Sequence, residues 1–77
     1  MGSKYPVAKA SEVVRALERL GFVFKSKSGS HAKYIKVSKN KPKRTVIVPM
    51  HADVPKGTLQ SILEQADIPL DEFMLNL

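Results

Sequence analysis

The sequence has no cysteine and no long apolar run, and from Lys25 to Arg44 it has no Asp or Glu. Without cysteine there is no disulfide, no thiolate metal site and no cysteine nucleophile, so the core must hold by packing alone. With neither a long apolar run nor a signal-peptide pattern, the chain reads as soluble and cytoplasmic, with no membrane partner. Met1-Gly2 suggests myristoylation, but that signal wants Ser or Thr at the sixth position, where Pro6 stands. A chain of 77 residues makes one small domain, which buries only about 60% of its unfolded surface. That leaves no room for a separate cofactor domain, and no cofactor is expected. The whole chain is read as a single domain with residues 1–5 as a flexible N-terminus.

What fills the acid-free stretch is positive charge. Seven lysines and one arginine lie between Lys25 and Arg44, whereas Glu64, Asp67, Asp71 and Glu72 give the tail four acids and no base. A sequence pI near 9.9 favours a nucleic-acid partner or an acidic protein surface. A solvated lysine-rich face is the plainer explanation of such a run.

The hydrophobic pattern gives the elements. Ala10, Val13, Val14, Leu17 and Leu20 recur at helical spacing, so the first helix is expected from Ala10 to Leu20, with Ser11 available as a cap and Gly21 placed to end it. Phe22-Val23-Phe24 begins a strand running into Lys25-Ser26-Lys27, Ser28-Gly29 turns the chain, and a second strand follows from His31 to Val37. Alternation there is imperfect and leaves the face of His31 open. Ser38 to Lys43 reads as a polar loop, and Thr45-Val46-Ile47-Val48 as a third, β-branched strand stopped by Pro49. A second helix begins near Pro55 or Lys56 and buries Leu59, Ile62, Leu63 and Ala66. Ile68-Pro69 breaks it, and Leu70 to Leu75 is expected to form a short helix packing Phe73 and Met74 onto the core. The order is α-β-β-β-α-α: an α+β domain with a three-stranded antiparallel sheet and helices on one face.

The candidate for chemistry is Gly29-Ser30-His31, in the middle of the basic block, although on composition alone His31 reads as an exposed strand residue. Glycine permits a tight turn, serine supplies a hydroxyl, and histidine exchanges protons near neutral pH. A proton-transfer group inside a positive field suggests chemistry on, or contact with, a polyanion; were that polyanion RNA, it could be cleaved without a metal, since its own 2′-hydroxyl attacks the adjacent phosphorus given a base and an acid. Positioned proton transfer of this kind contributes ~10²–10⁴ in rate. Lys25, Lys27 and Lys33 are the nearest cations for the phosphorane charge, with the Ser30 hydroxyl and the amides around Gly29 as further donors. Lys36, Lys43 and Arg44 complete the candidate RNA-binding set. One histidine does not perform both proton transfers unaided, and His51 is the only other one; a structural role before the second helix is preferred for it over catalysis. A metal site from His31, His51 and Asp53 lacks ligand spacing, and none is expected. Tyr34 is assigned to packing and Tyr5 is left open. The amides at Gly57-Thr58 open a helix and form only a weak phosphate candidate.

Four short stretches, in order, carry a resemblance. Val13 to Phe22 with its Leu-Gly-Phe exit, Gly29-Ser30-His31, Val48-Pro49-Met50-His51, and Lys56-Gly57-Thr58-Leu59 followed by Ile62 make the sequence similar to the HicA family of toxin ribonucleases. The resemblance implies a fold like the double-stranded-RNA-binding domain and a metal-independent endoribonuclease that cuts mRNA. It also implies His31 as the catalytic residue and a HicB-like antitoxin protein as the partner that covers the site. Two other functions stay open beside it. A non-catalytic duplex-binding module would concentrate lysines at the start of the second long helix, where only Lys56 stands. An inactive relative kept for protein binding would use the same basic face.

Overall fold

A computed structural model describes residues 4–77. Residues 1–3, part of the expected flexible N-terminus, lie outside the described residues; Tyr5 packs partly buried against the core. The elements run β1 (Ala8–Lys9), α1 (Ala10–Arg19), β2 (Val23–Ser28), β3 (His31–Ser38), β4 (Lys41–Pro49), β5 (Asp53–Val54), α2 (Lys56–Ala66) and α3 (Leu70–Leu75). The sheet β2-β3-β4 is antiparallel throughout, with β3 at its centre. The fold is the expected α+β arrangement with a three-stranded antiparallel sheet.

Each long helix ends the same way. After α1, Phe22 N–H donates to the Leu17 carbonyl at 2.9 Å and Gly21 N–H to Glu18 at 3.0 Å, with Gly21 at φ +98°. After α2, Ile68 donates to Leu63 at 3.0 Å and Asp67 to Glu64 at 3.2 Å, with Asp67 at φ +56°. Both are Schellman terminations, which satisfy the last free carbonyls through one left-handed residue. The start of α1 is capped by Glu12, whose carboxylate accepts from the Lys9 amide at 2.9 Å. Ser11, the expected cap, already lies within the helix.

The core is one cluster. Val13, Ala16 and Leu17 of α1 and Leu59, Ile62, Leu63 and Ala66 of α2 meet Ala32, Tyr34, Val46 and Val48 of the sheet, and Phe22, Val54 and Phe73 close its ends. Tyr34 is buried, as packing required, with the Phe24 ring edge-on at 5.8 Å. Burial pushes the Tyr34 hydroxyl above its usual range, and the Glu18 charge adds to this.

Two expectations need correction, and one element was not foreseen. The polar stretch Ser38 to Lys43 is not a loop: Ser38 pairs with Lys41 across a turn of Lys39 and Asn40, and β4 begins at Lys41 rather than Thr45. Its lysines and Pro42 are compatible with a strand because β4 is at a sheet edge, where a missing N–H can face solvent. Met74 does not join the core; it is 47% exposed, while Phe73 is buried. A further two-stranded ladder had no counterpart in the pattern: Ala8 pairs with Val54 and Lys9 with Asp53, setting the starts of α1 and α2 side by side.

Candidate active site and nucleic-acid interface

The β2–β3 connection is as short as a hairpin permits. Ser28 pairs with His31, so Gly29 and Ser30 are the whole loop. Gly29 has φ +59° and Ser30 is not left-handed, the pattern of a type II′ turn, whose twist suits antiparallel strands. A Cβ at Gly29 would meet nothing within 4 Å. Backbone conformation, not space, therefore demands glycine here.

His31 is the first residue of β3 and is held on both sides, by Ser28 of β2 and Pro49 of β4. One step further on, the Met50 amide donates to the Ser30 carbonyl at 2.6 Å. That bond fixes the phase of the antiparallel ladder: Ser30 and Met50 are a hydrogen-bonded pair, so His31 and Pro49 are a non-hydrogen-bonded one. Proline fits there because no N–H is called for. In such pairs the Cα atoms approach to about 4.5 Å, so Pro49 is the near cross-strand neighbour of His31.

Pairing also settles which way His31 points. Ala32 and Tyr34 are buried under the helices, so by strand alternation His31 and Lys33 lie on the opposite, open face, and both are exposed. Directly opposed residues share a face, which adds Ser28 and Ser26 from β2 and Pro49 and Ile47 from β4. No carboxylate is among them. His51 follows Met50 in an exposed bend at the same end of the sheet.

The expected cations divide. Lys33 shares the face of His31. Lys25 falls where the β2 register shifts, Lys27 lies opposite Ala32 and so belongs to the helix side of the edge strand, and Lys43 is on β4; all three are exposed. Lys36 and Arg44 form one cross-strand pair on the helix-facing side. The Lys36 ammonium donates to the Leu20 carbonyl at the end of α1 at 2.6 Å. Arg44 donates through Nη1 to the Ala66 carbonyl at the end of α2 at 3.1 Å, and through Nη2 to Ser38 Oγ at 3.2 Å. The two cations flank Phe22, with Lys36 Nζ 6.0 Å and Arg44 Cζ 5.7 Å from its ring centre. Arg44 Nε is buried without a hydrogen-bond partner. Both side chains sit where positive charge favours a helix C-terminus, and neither is brought near His31. Charge alone could not reveal this; the register to their helix-facing neighbours does.

Among the described residues, no three His, Cys, Asp or Glu side chains gather at metal-binding distance, and no helix is long and apolar enough to cross a membrane. Two surface grooves lie at the α2–α3 end, and His31 lines neither. An exposed histidine on an open surface is reachable by a polymer and does not enclose a small molecule. Residues 10–68 match the family model described as the HicA toxin of bacterial toxin–antitoxin systems. No curated protein matches the chain.

Proposed function

Since the chain belongs to the HicA toxin family, we propose that it is an endoribonuclease that cleaves mRNA without a metal, with His31 as general acid or base and a HicB-like protein as its antitoxin. The observation that carries this reading is His31 itself: exposed, fixed by pairing on both sides at the head of the central strand, and sharing its face with Lys33 and with no Asp or Glu of the paired strands.

In this mechanism His31 accepts the 2′-hydroxyl proton as the oxygen attacks phosphorus, or delivers a proton to the departing 5′-oxygen. The pentacoordinate intermediate carries extra negative charge, and Lys33 is the nearest cation on the same face; Lys25 and Lys27 extend the field along the edge strand. The amides of the Gly29-Ser30 turn are further donors for a phosphate. His51, at the same end of the sheet, is the candidate for the complementary proton transfer. Lys36 and Arg44 serve the helix ends and are removed from the RNA-binding set.

The test is incubation of purified protein with a single-stranded RNA in excess EDTA, beside His31→Ala, with analysis of product ends. Wild type should cut and leave 2′,3′-cyclic phosphates, and His31→Ala should lose at least ~10² in rate while still binding RNA. Undiminished cutting by His31→Ala would place the chemistry elsewhere. Loss of wild-type cutting in EDTA would refute metal independence.

A further inference from the structure

We propose that the aliphatic half of the open sheet face is the docking surface for the antitoxin, a protein presenting an apolar anchor among carboxylates, and that this surface is separable from His31. The proposal rests on the toxin reading above, and it names which part of the exposed face the partner grips.

The open face changes character along the strands. At the head of β3 it carries Ser26, Ser28, His31 and Lys33. Beyond Lys33 it turns aliphatic: Val23 lies opposite Ile35, and Ile47 lies opposite Lys33, one pair back. Val23 is 59% and Ile47 37% exposed. They stand two strand spacings and one pair step apart, about 12 Å, with the partly buried Ile35 between them. Among the described residues no helix covers this side: the buried sheet residues Ala32, Tyr34, Val46 and Val48 all lie on the other face.

RNA has little to gain from such a stripe. Single-stranded nucleic acid is held by cationic grooves and by bases stacked on aromatic rings, and Val23, Ile35 and Ile47 offer no ring. An apolar centre inside a polar rim is the anatomy of a protein interface. The rim here is of one sign: Lys25, Lys33 and Lys43 are exposed, and the segment from Lys25 to Arg44 holds no acid. Charge complementarity selects an acidic partner, and like-charge repulsion rejects a basic one. A partner seated on the stripe overhangs His31 and blocks the substrate without touching the imidazole.

The experiment uses ¹⁵N-labelled His31→Ala protein, titrated with the antitoxin of its own toxin–antitoxin pair and, separately, with a single-stranded RNA oligonucleotide. The antitoxin should shift the amides of Val23, Ile35, Thr45 and Ile47, whereas RNA should shift chiefly those from Gly29 to Lys33. In the otherwise wild-type chain, the double variant Val23→Ser with Ile47→Thr should cleave RNA at the wild-type rate and need at least tenfold more antitoxin for half inhibition. Three outcomes overturn the proposal: inhibition of the double variant at wild-type antitoxin levels; stripe amides shifted by RNA as strongly as by antitoxin; or a stripe that responds only to rising concentration of the protein itself, which would assign it to a second copy. The amide map needs no stripe substitution and so decides the matter even if the double variant folds poorly. Retained cleavage by His31→Ala would defeat the catalytic assignment while leaving that map to stand or fall alone.

Discussion

The helix-facing and open faces of the three-stranded sheet are made from alternate residues of the same strands, yet they answer to different constraints. Ala32, Tyr34, Val46 and Val48 turn inward and are nearly inaccessible, and Lys36 and Arg44 on that side reach the carboxyl ends of two helices. Their outward neighbours His31, Lys33 and Ile47 remain exposed and pack under no helix. A period of two therefore lets one strand carry a core and an open surface with little interference. It also means that charge says nothing about role until the face is known: Lys33 and Lys36 lie three residues apart, and only Lys33 shares the open face with His31.

The most severe way to test this separation is a neighbouring pair on β4. Val48→Ala empties a fully buried site and should cost about 2 kcal/mol or more in denaturant unfolding, whereas Ile47→Thr on the outer face should stay within about 0.5 kcal/mol. Similar losses from both would mean that the outer face is packed after all. Next in size is Arg44→Met, which keeps the apolar stem and removes the hydrogen bonds to Ala66 and Ser38. It should lower stability by about 1–2 kcal/mol with the salt dependence of RNA binding unchanged; a shallower salt slope would return Arg44 to the nucleic-acid surface.

Smaller still is the left-handed residue closing α2. Asp67→Gly should raise stability by about 1 kcal/mol, since an L side chain resists that conformation, and no effect on RNA cleavage should follow. The least change comes from Tyr34→Phe, and only in alkali. Its hydroxyl is harder to ionise folded than unfolded, so its contribution is fully present below the unfolded value of about 10 and is lost as pH rises through the higher folded one. Wild type should therefore weaken above about pH 10 and Tyr34→Phe less so; parallel pH curves for the two proteins would contradict the burial of this hydroxyl.

Much of the fold could be read from the sequence because its signals are local. The helical spacing of Val13, Leu17 and Leu59, the terminating Gly21 and the turn glycine at 29 each act within a few residues. What escaped reading depends on neighbours distant in sequence. Lys41-Pro42-Lys43 has loop composition and becomes a strand only because β3 supplies a partner and the far side is an edge. Two-residue ladders such as β1–β5 are too short to show a period. Lys36 interrupts the polar–apolar alternation of β3 because its stem is drawn toward Leu20, which is why the face of His31 could not be assigned from pattern alone. The Gly-Ser-His triplet was visible, but its rigidity came from Pro49 and Met50, some twenty residues further on.

The β1–β5 tie has a consequence for how the molecule is made. Residues 8 and 9 leave the ribosome about 45 residues before their partners, residues 53 and 54. At ribosomal speeds of about 5–20 residues per second, the partner follows roughly 2–9 s later. Ser30 meets Met50 within the β3–β4 hairpin, so the pairing that holds His31 closes over a shorter loop than the tie joining the starts of the two long helices.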